Sequence, residues 1–150
     1  MKFYLDTSVW GGYDDKEFAE WTVPFIEQAR AGRFITVLSD VTVRELLGAP
    51  ERTRILPESI PDAFLEPVLI TKEQKELAQK YIDEGALTLK QETDAEHIAM
   101  ATILKVDTLV SWNFKHMVNF FRLKQYNSIN LKYGYSIIDF RTPKEVTYEK

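Results

Sequence analysis

Short apolar runs alternate with longer amphipathic ones along the chain, and the pattern divides it into strands and helices. Lys2 to Leu5, closed by Asp6, reads as a short strand. Thr7 to Tyr13 carries Gly11 and Gly12 and reads as a loop. From Asp14 to Arg30, Phe18, Trp21, Phe25, Ile26 and Ala29 recur at helical spacing, and Gly32 supplies a stop. Phe34 to Leu38 reads as a buried strand. Ser39 or Asp40 can cap a helix through Leu47, with Gly48 just past its end. Pro57 and Pro61 break Glu51 to Leu65 into irregular or short helical pieces. Pro67 to Ile70 reads as a strand. Thr71 and Gln74 match a capping box opening a helix to about Glu84, and Thr93 and Glu96 match another opening Asp94 to Lys105. Thr108 to Ser111 reads as a strand, Met117 to Tyr126 as a helix and Tyr135 to Asp139 as a last strand. Thr142-Pro143 can open a final turn.

Strand–helix units repeated in this way predict an α/β domain: three α/β/α layers around a mostly parallel central sheet. The 150 residues are 45% hydrophobic and 28% charged, the balance of one globular domain spanning residues 1–150, with the end from about Val146 open to fraying. There is no cysteine, which excludes a disulfide scaffold, thiolate zinc and thiol nucleophiles. His97 and His116 are the only histidines, too few for a multi-histidine metal site. No apolar run approaches the roughly 20 residues of a membrane span. Asp6 interrupts the N-terminus too early for a signal peptide. These features predict a soluble cytoplasmic protein with no membrane attachment.

The formal net charge is −4, which argues against binding polyanions through bulk positive charge. The charge is uneven, however. From Thr108 to Ile138 there is no acidic residue, while Lys115, Arg122, Lys124 and Lys132 are basic. Such a segment is either a solvated basic face or a surface that contacts phosphates.

In a parallel α/β sheet, sites form outside the carboxyl ends of the strands. Asp6 ends the first strand there, and the hydroxyls and N–H groups of Thr7 and Ser8 can orient it. Glu45 follows the second strand, Asp94 opens a helix, and Asn113 follows the strand ending at Ser111. Carboxylates converging in one cleft repel one another unless a cation lies between them. Oxygen-only ligation suits Mg²⁺ or Mn²⁺. Each residue also has an ordinary reading: Asp6 and Asn113 as turn residues, Glu45 as the capping-box partner of Thr42 or a solvated side chain, Asp94 as a first-turn charge.

In order and context, these residues resemble the PIN-domain (PilT N-terminus) family, and within it the small single-domain toxins of the VapC group. The matching pieces are Tyr4-Leu5-Asp6-Thr7-Ser8, Val43-Arg44-Glu45-Leu46, Asp94 through Ala101, and Leu109 through His116, with Gly134-Tyr135 to Ile138 and Arg141 to Val146 at the end. The resemblance implies a metal-dependent endoribonuclease, the toxin of a toxin–antitoxin pair. It implies Asp6, Glu45 and Asp94 as ligands of Mg²⁺ or Mn²⁺, with Glu45 or Asp94 positioning the attacking water. Thr7, Ser8 and Ser111 would support them. A protein antitoxin and a homodimer are the implied partners. Asn113 departs from the pattern, because the family usually has a fourth acidic residue there. Asn113 can hydrogen-bond a water but brings no charge, and Asp107 cannot replace it from the opposite end of its strand.

Around this centre, Lys115, His116, Arg122 and Lys124 are candidate RNA contacts. Trp112 or Phe114 can stack a base or simply fill the core. His97 reads as a packed or surface histidine. The competing function is a catalytically weak or inactive domain that binds RNA or a protein partner. An aspartyl-nucleophile phosphohydrolase is disfavoured, since that chemistry wants a second aspartate where Ser8 stands. Gly11-Gly12 matches no phosphate-binding loop.

Overall fold

Strand β1 (Lys2–Leu5) sends alternate side chains into two different cores. Tyr4 joins one, while Phe3 and Leu5 join the other. Strand β4 (Thr108–Val110) divides in the same way, Leu109 to the first core and Val110 to the second. A strand buried on both faces needs helices on both sides. The computed structural model, which describes residues 1–148, has that three-layer architecture.

The sheet has five strands in the order β3-β2-β1-β4-β5, with β2 at Ile35–Ser39, β3 at Leu65–Val68 and β5 at Phe140–Arg141. Every pairing is parallel; Tyr4 lies opposite Val37 on one side and Leu109 on the other. The helices are α1 (Thr7–Gly12), α2 (Ala19–Arg30), α3 (Asp40–Leu46), α4 (Glu51–Arg54), α5 (Lys72–Asp83), α6 (Glu92–Ile103), α7 (Phe120–Lys132) and α8 (Pro143–Tyr148). Helix α2 contributes Phe25, Ile26 and Ala29 to the core under Phe3 and Leu5, and α8 adds Val146 there. Helices α5, α6 and α7 cover the other face with Leu77, Tyr81, Ile98, Met100 and Tyr126. Among the described residues, no helix is long and apolar enough to cross a membrane. Of the end expected to fray, residues 146–148 are helical and Val146 is buried; residues 149–150 lie outside the described residues.

Several boundaries differ from the sequence expectation. Thr7 to Gly12 is a helix rather than a loop. Asp6 caps it, and Gly12 sits where helix meets neighbour: a Cβ there would come within 2.9 Å of Thr22 Oγ1 and of the Trp112 ring. Helix α2 begins at Ala19, not Asp14. Gly32 does stop it, in the left-handed region at φ +75°. Strand β3 starts two residues early and takes in Pro67, which an edge strand tolerates. The box expected from Thr93 and Glu96 does not form. Thr88 and Gln91 make one instead on a single 3-10 turn that runs into α6. Helix α7 starts at Phe120, capped by Asn119, whose side chain accepts from the N–H groups of Phe121 and Arg122. The strand expected at Tyr135 to Asp139 does not form; β5 lies just past it at Phe140–Arg141, and the Asn127 amide takes both the N–H and the C=O of Ile138, at 2.8 and 3.0 Å.

Candidate active site

The strand order reverses its direction of growth between β1 and β4, so a crevice forms beyond their carboxyl ends. Asp6 stands in it, 4% exposed. Its backbone N–H donates to Val110 C=O at 3.1 Å, which ties it to both strands. Its side chain caps α1. Oδ1 accepts from the N–H of Ser8 at 3.1 Å and from the Ser8 hydroxyl at 2.5 Å, and Oδ2 accepts from the Ser111 hydroxyl at 2.6 Å. Ser8 Oγ and Ser111 Oγ in turn accept from the N–H groups of Trp112 and Asn113, both at 2.9 Å. Burial raises the pKa of Asp6 against the pull of His97 and these hydroxyls.

Glu45 arrives from α3, which Ser39 caps by accepting from the N–H of Thr42. The Glu45 carboxylate accepts the Thr7 hydroxyl and lies 2.6 Å from His97 Nε2. Both contacts fall on Oε1. Burial pushes Glu45 up, but the hydrogen bonds from His97 and the Thr7 hydroxyl hold its carboxyl below the usual range. Asp94 lies in the first turn of α6 and, among the described residues, has no hydrogen-bond partner. Its pKa is pushed up to about 6, first by burial and then by the charge of Asp6, with Glu45 adding to it against the pull of His97. The three carboxylates are therefore close enough to feel one another.

The remaining sequence candidates divide. Thr7, Ser8 and Ser111 stand beside the carboxylates. Asn113 lies at the same edge, but its Oδ1 accepts from the N–H groups of Lys115 and His116 at 3.1 and 2.9 Å and so builds a turn. Lys115 is exposed. His116 is partly buried, and its buried Nδ1 has no partner among the described residues; burial, Lys115 and Arg122 lower its pKa. Arg122 donates to the Ala86 C=O at 2.7 Å and so braces the fold. The Lys124 ammonium lies 4.7 Å from the centre of the exposed Phe120 ring. Trp112 is core: it stacks on Phe18 and donates to Thr22 Oγ1 at 2.8 Å, whereas Phe114 is exposed. Asp107 accepts from the N–H of Lys2 at 2.7 Å, at the far end of the sheet from Asp6.

The residue that sequence reasoning missed is His97, which is buried and bonded to Glu45. Its signal was its spacing: it lies three residues after Asp94, on the same helix face.

No protein-family model matches the chain, and no curated protein matches it in sequence. Solved structures match it in shape, two of them as follows. Mycobacterium tuberculosis VapC20, described as a Sarcin-Ricin loop cleaving toxin, superimposes with a TM-score of 0.58 at 11% identity over 75% of this chain and 91% of that one. VapBC2 from Rickettsia felis, solved bound to a DNA fragment from its promoter, gives 0.56 at 13% identity over 95% and 98%. With its all-parallel sheet covered on both faces, the chain has the PIN-domain fold of the VapC-like proteins.

Proposed function

We propose that the chain is a metal-dependent endoribonuclease that hydrolyses RNA phosphodiester bonds, and that it serves as the toxin of a toxin–antitoxin pair. What supports this reading is that Asp6, Glu45 and Asp94, from three separate segments, lie near enough for the charge of one to raise the pKa of another. Mutual repulsion there is a cost that folding alone does not require.

Among the described residues, no three His, Asp or Glu side chains form a ready-made metal-ligand set. The donor chemistry nonetheless suits Mg²⁺ or Mn²⁺: the donors are all oxygen, and one carboxylate has no partner among the described residues. Asp6, Glu45 and Asp94 would hold it. When bound, such an ion supplies Lewis acidity toward the phosphate and charge to offset the carboxylates. The chain's own part is positional. Ser8 and Ser111 fix Asp6, Thr7 and His97 fix Glu45, and Asp94 is free to accept a proton or a hydrogen bond from the attacking water. Lys115 and Lys124 offer charge to the flanking phosphates. The VapC likeness favours a protein antitoxin and a homodimer as partners.

The second reading, a domain that binds RNA or a protein without turnover, is favoured by Asn113, whose side-chain oxygen is spent on the backbone. Cleavage of a panel of structured and single-stranded RNAs separates the two readings. With Mg²⁺ or Mn²⁺ the wild type should cleave and with chelator it should not, and Asp6→Ala and Asp94→Ala should each lose at least about 10²-fold in kcat. RNA bound but not cut under any metal favours the second reading.

A further inference from the structure

Behind the carboxylates, a line of hydrogen bonds crosses the core. Ser39 Oγ, at the end of β2, lies 2.7 Å from the phenol oxygen of Tyr4 in β1. That oxygen lies 2.6 Å from His97 Nδ1 in α6, and His97 Nε2 lies 2.6 Å from Glu45 Oε1. Ser39, Tyr4 and His97 are at most 1% exposed. Three polar groups buried in a row are costly unless each is satisfied, and apolar side chains would fill the same space without that demand.

One arrangement of hydrogens satisfies every member of this line. Nε2 faces a carboxylate and so donates to it. Burial keeps Tyr4 a phenol, able to donate to Nδ1, with Ser39 against its other side. At the far end, both protein partners of Glu45 fall on Oε1, and among the described residues Oε2 has none. A glutamate side chain on a half-exposed helix is otherwise free to rotate. Two donors on a single oxygen hold the carboxylate still and keep its second oxygen available.

Building on the nuclease reading, we propose that His97 is a positioning residue for the reaction: held at Nδ1 by Tyr4, it donates from Nε2 to Glu45 Oε1 and presents Oε2 to the reacting groups. A histidine that only filled the core would leave turnover unchanged when replaced by a residue of similar volume. One that aims Glu45 would not, and a side-chain amide able to donate in place of Nε2 would restore part of the loss.

The test compares wild type, His97→Leu, His97→Gln and Tyr4→Phe as full-length proteins on one RNA substrate. His97→Leu should lose about 10²-fold in kcat with KM within about twofold of wild type, His97→Gln should recover to within about tenfold, and Tyr4→Phe should fall between them. Ring-nitrogen NMR of the wild type should show hydrogen on Nε2, and the Glu45 carboxyl carbon signal should move in His97→Leu and return toward its place in His97→Gln. Wild-type kcat in folded His97→Leu overturns the proposal and leaves the nuclease reading standing. If His97→Leu does not fold, wild-type kcat in Tyr4→Phe overturns it. An inert wild type overturns the nuclease reading instead; bare Nε2, or a Glu45 signal indifferent to His97, overturns the positioning claim whether or not RNA is cut.

Discussion

Replacing Asp94 by asparagine should stabilise the protein at neutral pH. Its carboxyl is raised from 3.8 to about 6, first by burial and then by Asp6. A raised carboxyl binds protons more readily folded than unfolded, so stability falls as pH climbs from 3.8 to about 6 and stays reduced above it. Removing the charge should recover about 2 kcal/mol at about pH 7.5 and almost nothing near pH 3, measured by thermal unfolding. A lower melting temperature for Asp94→Asn at the higher pH would contradict this picture. The same experiment with Mn²⁺ should raise the wild-type melting temperature and leave Asp6→Ala unmoved. At this scale, the candidates stood out by position: Asp6 at a strand end, Asp94 at a helix start, and Glu45 within the helix that follows the second strand. His97 did not, because its site partners, Glu45 and Tyr4, are 52 and 93 positions away in the chain.

Helices and strands were legible where a local signal had a single solution. The Thr71–Gln74 box formed as expected, with both of its hydrogen bonds. Thr93–Glu96 failed because Thr88–Gln91 matches the same template a few residues upstream, and the spacing alone does not rank them. The loop expected at Gly11-Gly12 failed for a different reason. Glycine was read as backbone freedom, whereas Gly12 is there for closeness to Trp112 and Thr22. The two neighbours therefore part ways on substitution. Gly12→Ala should cost about 1–3 kcal/mol through overpacking. Gly11→Ala, with nothing within 4 Å of its new carbon, should gain up to about 1 kcal/mol from helix propensity. Denaturant unfolding of both variants checks this, and a loss in both would show that α1 needs flexibility at its end. The strand expected at Tyr135 to Asp139 did not form, and there Asn127, eleven residues away, takes the backbone of Ile138.

Across the whole molecule, the net charge of −4 conceals a segment, Thr108 to Ile138, with no acidic residue. Its cations are not equivalent. Lys132 pairs with Glu84 and Arg122 braces Ala86, while Lys115 is exposed and Lys124 lies over an exposed ring. Lys115→Glu and Lys124→Glu should each weaken RNA binding and flatten its dependence on salt by about 0.7 per lost contact, with little change in folding. Arg122→Ala should mainly lower the melting temperature. An unchanged salt slope in both lysine variants would remove this face from the RNA surface. The fold class followed from the strand–helix rhythm, but the sheet order did not, because it depends on long-range pairing that no local pattern records.

That order sets a timetable. Strand β1 leaves the ribosome before the other four strands, yet it ends up in the middle of the sheet between β2 and β4. Asp6 meets Ser8 at once, but it waits for Ser111 until 105 further residues have been added, and Asp94 emerges only shortly before. A growing chain therefore holds the pieces of the crevice without the crevice. If the finished protein cuts RNA, the machinery that synthesises it works beside a harmless partner until β4 has been made.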